Sequence, residues 1–163
     1  MNTNILIKFC QTIAATVFAV AFAFILIYTF FAVSLQQGFS MAPYINNGNI
    51  VFVNRLYKNF LPLERKDVIV FNLSGQESIR RIYGLPGETV TISKGNIYID
   101  DVLIDDFDLK NSLSSNIEQN VKLGSDEYYV LGDNLDSSND SRFSDVGNVK
   151  RDMIKGKVWR VIR

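Results

Sequence analysis

One uninterrupted apolar run near the amino terminus constrains the fold of this chain most strongly. Residues 13–35 are 23 consecutive positions without a charge, rich in Ala, Val, Phe, Ile and Leu. About 20 helical residues cross a hydrocarbon core of about 30 Å, whereas the apolar core of a cleavable signal peptide has only about 7–15 residues. Although Ala-Val-Ser at residues 32–34 could serve as a cleavage sequence, the run predicts an uncleaved transmembrane anchor.

The anchor divides the chain into three parts: a short segment at 1–12, the span at 13–35 and one domain at 36–163. The domain is predicted to be mainly β, because it contains short β-branched and aromatic runs separated by turn clusters. The predicted strands are 50–53, 67–71, 78–83, 89–92, 96–99, 102–104, 128–131 and 157–162. The polar residues 105–126 predict a long surface excursion, whose role with any partner stays open.

The residue types that the sequence lacks exclude several classes of catalytic mechanism. The chain has no histidine and a single cysteine, Cys10, so Ser-His-Asp, Cys-His and His-zinc mechanisms are excluded. The acidic pairs at 100–101 and 105–106 lack the spacing of a calcium loop, and we predict no metal and no cofactor. Adjacent basic residues in the middle of the chain are limited to 65–66 and 80–81, and no nucleic-acid site is predicted.

Four motifs carry the strongest functional signal. They are Ser-Met-Ala-Pro at 40–43, Lys-Asp-Val-Ile-Val-Phe at 66–71, Arg-Arg-Ile-Tyr-Gly-Leu-Pro-Gly-Glu at 80–88 and Gly-Asp-Asn-Leu-Asp-Ser-Ser-Asn-Asp-Ser-Arg at 132–142. Each alone is ordinary loop or strand chemistry, but in this order they resemble the type I signal peptidases, the membrane-anchored serine proteases that remove signal peptides. The resemblance covers nearly the whole chain. It implies a coiled antiparallel β domain outside the cytoplasm, held at the cell membrane by a single span.

The resemblance also implies roles for individual residues. Ser40 matches the nucleophile, with its own backbone N–H as an oxyanion donor, and Ser138 matches the serine that orients a lysine general base. Asp140 and Arg142 match a structural ion pair. The lysine itself is replaced by Arg80. A buried lysine can lose its proton near neutral pH, whereas arginine, with a pKa above about 12, cannot accept one from serine.

Two functional hypotheses follow from Arg80. The first is an active signal peptidase that cleaves signal peptides of secreted preproteins with a residual or altered base. The second is a non-hydrolytic member that resembles the signal-peptidase-like accessory proteins of Gram-positive pilus assembly, with pilin subunits as partners. Arg80 favours weak or absent hydrolysis. Because a buried cation is costly unless paired, we expect Arg80 to contact an acidic partner or to face water.

The family's mode of substrate binding predicts a groove beside the nucleophile. An extended peptide would add as a strand to a sheet edge, with shallow pockets for small side chains. Ile79, Ile82 and Tyr83 are expected to line this groove. Phe39 and Met41, which flank Ser40, are expected at the groove wall or against the bilayer, with core packing as the alternative.

Overall fold

The computed structural model describes residues 3–104 and 117–162, except for the side chains of residues 3–6 and 59. Within these residues the helices are α1 (Thr3–Phe30) and α2 (Leu56–Asn59). The strands are β1 (Phe31–Leu35), β2 (Ile50–Asn54), β3 (Val68–Leu73), β4 (Gln76–Gly84), β5 (Thr89–Ser93), β6 (Asn96–Ile99), β7 (Val102–Leu103), β8 (Gln119–Lys122), β9 (Glu127–Leu131), β10 (Val149–Lys150) and β11 (Ile154–Ile162).

Helix α1 contains the apolar segment that the sequence predicts as an anchor. Residues Ile7–Phe30 form 24 helical residues with a mean hydropathy of 2.4, long and apolar enough to cross a membrane. The helix ends at Phe30, so the last five residues of the predicted span differ from the prediction and form β1. They pair with β2, and the Ser34 hydroxyl donates a hydrogen bond to Glu77 Oε2 at 2.5 Å. Hydropathy does not distinguish an apolar edge strand from the end of an apolar helix.

The strands form two sheets with antiparallel neighbours, and the predicted mainly β fold is confirmed. The larger sheet has the strand order β1-β2-β11-β3-β4-β9-β10, and the smaller has β7-β6-β5-β8. The two share a core cluster with buried side chains from β4, β5, β6, β9 and the residue after β8, namely Tyr83, Val90, Ile92, Ile97, Ile99, Leu123, Tyr129 and Leu131. The smaller sheet therefore packs against the end of the larger one.

The segment after β1 is held against one face of the larger sheet. Met41 is fully buried there and packs with Ile45 against side chains of β2, β3 and β4, namely Val51, Val53, Val68, Val70 and Ile79. The prediction that Met41 lies at the groove wall or against the bilayer is therefore wrong. Its burial fixes the backbone next to Ser40 on the sheet.

Each of the eight predicted strands overlaps an observed strand. The predicted excursion 105–126 is only partly testable, because residues 105–116 lie outside the described residues. Gln119–Lys122 form strand β8, which pairs with β5 at the edge of the smaller sheet. This strand escaped prediction because Val121 is its only apolar residue, and its alternating exposure is that of an edge with one solvated face.

Candidate active site

Ser40 and Arg80, which are 40 positions apart in the chain, meet side by side. Arg80 Nη1 donates a hydrogen bond to Ser40 Oγ at 2.8 Å. Arg80 lies in β4, opposite Ile69 of β3, and Ser40 lies in the segment that Met41 fixes on the same sheet. Both are buried, with Ser40 5% and Arg80 8% exposed. The positions that the sequence pairs as nucleophile and base are therefore in direct contact.

The remaining contacts of the Arg80 guanidinium go to backbone carbonyls. Nη1 donates to Ile79 O at 2.6 Å, while Nε and Nη2 donate to Asn139 O at 3.0 and 2.6 Å. No ion pair joins Arg80 to a carboxylate of a described residue, so the expected acidic partner is not found there. Burial lowers the pKa of Arg80, an effect that the charge of Asp140 opposes. Arginine nevertheless stays protonated in proteins, so Arg80 donates protons and accepts none.

Ser40 Oγ receives a second hydrogen bond, from a residue that the sequence analysis missed. Gln36 Nε2 lies 3.4 Å from Ser40 Oγ, and Gln36 is 2% exposed. A single glutamine in the sequence gives no signal that could have found this contact. Gln36 Nε2 also lies 3.2 Å from Gln37 O and 3.3 Å from Gly38 O, so three acceptors share its two hydrogens. The cationic donor and, more weakly, the shared amide stabilise negative charge on the Ser40 oxygen. Neither can take the hydroxyl proton.

The loop over residues 132–142 closes against Ser40. Asn134 N–H donates to Ser40 O at 2.9 Å. A Cβ at Gly132 would lie 2.3 Å from Ser138 Oγ and 2.5 Å from Ser40 O, so only glycine permits this approach. The buried Ser138 Oγ has no hydrogen-bond partner among the described residues. Its implied role of orienting a base stays a prediction, since Arg80 contacts Asn139 O instead.

Asp140 and Arg142 form an ion pair within the same loop. Both side chains are fully buried, and Arg142 Nε and Nη2 donate to the two carboxylate oxygens of Asp140 at 2.8 and 3.0 Å. Gly132 N–H also donates to Asp140 Oδ2 at 3.0 Å. A bidentate pair of this kind fixes loop geometry because its two hydrogen bonds form in one orientation, although the buried Arg142 Nη1 has no partner among the described residues. The ion pair thereby holds the Asn139 carbonyl that Arg80 contacts.

A surface groove of about 420 Å³ runs past Ser40. Its walls are the segment after β1, the start of β4 and the loop after β9, contributed by Leu35, Gln36, Gln37, Gly38, Phe39, Ser40, Gln76, Glu77, Ser78, Ile79, Arg80, Ser137 and Asn139. Ile79 lines the groove as expected. Ile82 and Tyr83 instead lie in core clusters, because β4 is buried on both faces at this end. Alternation therefore does not identify the groove side of the strand.

The Ser40 backbone N–H is the donor that the sequence analysis expects to bind a carbonyl oxygen. No hydrogen bond from this N–H to a described residue is found. The arrangement thus offers a serine oxygen stabilised as an anion, beside an N–H able to bind a carbonyl oxygen. Among the described residues, no group of three or more side chains that could hold a metal ion is found.

Comparison with known proteins points to one family. The family described as signal peptidase, peptidase S26, matches residues 9–162. Signal peptidase I S of Bacillus subtilis (strain 168) is 33% identical over 138 residues, covering 78% of this chain and 75% of that protein. Signal peptidase I of Bacillus amyloliquefaciens is 32% identical over 143 residues, covering 78% and 72%. A crystal structure of a signal peptidase I from Enterococcus faecalis V583, 30% identical, covers 60% of this chain and 97% of that chain with a TM-score of 0.48.

Proposed function

The chain belongs to the signal peptidase, peptidase S26, family, and on that premise we propose that Ser40 is the nucleophile of a signal peptidase I-type serine endopeptidase. Its substrates are the signal peptides of secreted preproteins. Helix α1 is the single membrane anchor, and the β domain lies at the outer face of the cell membrane. The contact between Ser40 Oγ and the two donors from Arg80 and Gln36 carries the proposal, because it prepares this oxygen to carry negative charge.

The groove supports binding of an extended peptide. Residues 35–39 line one wall and residues 76–80 line the other, with Ser40 between them. A peptide lying between these walls can hydrogen-bond to backbone groups, as in strand addition. Its scissile carbonyl carbon would then face Ser40 Oγ, and the carbonyl oxygen would accept from the Ser40 N–H.

Arg80 determines how the proton leaves the serine. Because the guanidinium stays protonated, the Ser40 proton passes to hydroxide from the water in the groove. The alkoxide, held by Arg80 and Gln36, attacks the carbonyl carbon, and the leaving amine takes its proton from water as the peptide bond breaks. Water then hydrolyses the acyl ester to release Ser40. Without a positioned base this reaction is slow at neutral pH.

Arg80 is the one observation that points to a second candidate function, binding without cleavage, and the similarity to signal peptidases does not favour it. A groove of intact shape beside a serine that lacks a base can capture a signal peptide and leave it uncut. Such a protein would resemble the accessory proteins of pilus assembly, with pilin subunits as its partners. This candidate differs from the first only in whether Ser40 reacts.

Cleavage and binding are separated by testing the full chain in detergent beside Ser40→Ala. A fluorogenic signal-peptide substrate reports cleavage, and a fluorescently labelled copy of the same peptide reports binding by anisotropy. We expect slow cleavage that Ser40→Ala abolishes, with unchanged binding. Binding without cleavage at any pH would support the second candidate and overturn the first. Cleavage that survives in Ser40→Ala would remove Ser40 from its role, and absence of binding would remove both candidates.

A further inference from the structure

The junction between α1 and the larger sheet carries two cavities that share one arginine. The first is an apolar cleft of about 730 Å³, lined by Phe24, Ile27, Tyr28, Phe31, Ala32, Val33, Phe52, Arg55 and Trp159. The second is a pocket of about 370 Å³, lined by Thr29, Phe30, Arg55, Lys58, Phe60 and Lys155. Arg55 is the only charged residue of the cleft, and the pocket adds two lysines. Both volumes lie in the range of about 300–1,000 Å³ that is usual for small-molecule sites.

The apolar cleft lies where α1 leaves the membrane. Its helical wall comes from the last two turns of the span, which ends at Phe30. Tyr28 is 80% and Trp159 66% exposed, and the Trp159 ring lies 6.0 Å from that of Phe31. Aromatic side chains of this kind concentrate at the boundary between hydrocarbon and headgroups. The cleft is therefore open to lipid acyl chains at the membrane surface.

The pocket beside it has a surplus of positive charge. Lys155 is paired with Glu77 at 2.5 Å. The Arg55 side chain donates to the Tyr28 carbonyl at 3.4 Å, and neither Arg55 nor Lys58 forms an ion pair with a carboxylate of the described residues. Lys155 and, more weakly, Arg55 lower the pKa of Glu77, so this one carboxylate serves both cations. The three cations of the pocket therefore exceed the charge of Glu77 by two, next to an apolar cleft.

From this juxtaposition we propose that the junction binds one anionic phospholipid, with its phosphate at Arg55 and Lys58 and an acyl chain in the cleft. A soluble anion would leave the cleft empty. A zwitterionic lipid would bring its own cation to the pocket. A lipid bound in this way would contact both α1 and the sheet. The site rests on the proposed role of α1 as a membrane anchor, whereas its occupancy does not depend on the proposed reaction at Ser40.

Trp159 is the only tryptophan of the chain and lies in the cleft, so its fluorescence reports occupancy directly. The probes are phosphatidylglycerol and phosphatidylcholine with brominated acyl chains, which quench a tryptophan they touch, titrated into detergent micelles of the full chain. We expect phosphatidylglycerol to reach half-maximal quenching at a mole fraction about 25-fold lower than phosphatidylcholine does, about fivefold for each of the two cations. Arg55→Gln and Lys58→Gln should each reduce this preference about fivefold.

Arg160→Gln is the matched control, since Arg160 is an exposed cation beside Trp159 that does not line the cleft. It should leave the preference unchanged. Arg55→Gln also removes a hydrogen bond to the Tyr28 carbonyl near the end of α1. Lys58→Gln therefore shows whether the loss of lipid preference in Arg55→Gln comes from the charge or from this structural contact. Equal quenching by the two lipids would overturn the proposal. It would also be overturned if Arg160→Gln reduced the preference for phosphatidylglycerol as much as Arg55→Gln does. Competition by inorganic phosphate at the concentration of the lipid would overturn it as well, because that would indicate a phosphate site without an acyl chain.

Discussion

Two buried arginines contact the loop of residues 132–142, and their partners differ. Arg142 lies against the carboxylate of Asp140 with bidentate geometry, and both side chains are fully buried. Arg80 donates to Ser40 Oγ and to the carbonyls of Ile79 and Asn139, all of which are neutral. Arg142 is paired directly with a carboxylate, whereas Arg80 contacts only neutral dipoles and feels the charge of Asp140 without touching it.

This difference between the partners of Arg142 and Arg80 predicts a role in stability for one arginine and a role in catalysis for the other. A balanced pair loses stability when either member is removed, because the other is left as a buried unpaired charge. An unbalanced cation is held by neutral dipoles, which can be replaced by water in an open groove. Groups with perturbed pKa values cluster at functional sites, and burial lowers the pKa of Arg80. We therefore propose that Arg142 serves the stability of the fold and that Arg80 serves the reaction.

The largest expected effect comes from replacing Arg80 with a residue that can act as a general base. Arg80→Lys should raise cleavage of the fluorogenic substrate near neutral pH by about a hundred- to ten-thousand-fold, the contribution of a positioned general base. The buried amine can lose its proton, which a guanidinium cannot. Arg80→Gln is the control, since it removes the cation without supplying a base. An Arg80→Lys chain no faster than Arg80→Gln would contradict this role of position 80.

Breaking the Asp140–Arg142 ion pair should have an effect nearly as large when both effects are expressed as free energies. Asp140→Asn should lower the free energy of unfolding by about 3–5 kcal/mol, because Arg142 is left buried without a counter-charge. Denaturant unfolding of the full chain in detergent measures the change. Asp152→Asn, which removes an exposed carboxylate outside the loop, should change the stability by about 0.5 kcal/mol or less. Equal losses in the two variants would show that the pair does not hold the loop.

Replacing each arginine by methionine compares the two directly. Arg142→Met should destabilise the chain by about 3–5 kcal/mol. Arg80→Met should stay within about 1 kcal/mol of the unaltered chain, since the lost hydrogen bonds are offset by removal of a desolvated cation. The same unfolding measurement serves both variants. Similar losses in both would mean that Arg80 is as structural as Arg142.

The smallest effect is expected at Ser138, whose hydroxyl has no partner among the described residues. Ser138→Ala alone should change the unfolding free energy by about 0.5 kcal/mol or less. In the Arg80→Lys background it should lower kcat about tenfold and leave KM unchanged, because the hydroxyl then orients the amine. A stability loss of several kcal/mol in the single variant would assign Ser138 to the fold instead.

The fold was predictable wherever local pattern and tertiary context agree. The apolar run predicts α1, and the short β-branched runs predict eight strands that overlap observed ones. The end of α1 was misjudged because residues 31–35 are as apolar as a span. What makes them a strand is pairing with β2 and the contact of Ser34 with Glu77, a residue 43 positions away. Strand β8 was missed because its pairing with β5 stabilises a polar sequence.

The sequence predicted which residues come together at the site, but not all of the contacts that they make. The order of the motifs predicts that Ser40 and Arg80 meet. In place of an acidic partner, Arg80 contacts the backbone carbonyls of Ile79 and Asn139. No pattern of side chains in the sequence predicts a contact with a backbone carbonyl. Gln36 was overlooked because a lone glutamine carries little signal. Ile82 was misplaced because a central strand is buried on both faces.

The pH dependence of cleavage tests most directly whether Arg80 stabilises the serine oxygen without serving as its base. If hydroxide removes the Ser40 proton, the rate of the unaltered chain should rise about tenfold per pH unit through the neutral and mildly alkaline range without a plateau. Arg80→Lys should level off once its amine is deprotonated. A plateau near neutral pH in the unaltered chain would show that a base within the protein titrates there, and would contradict the account.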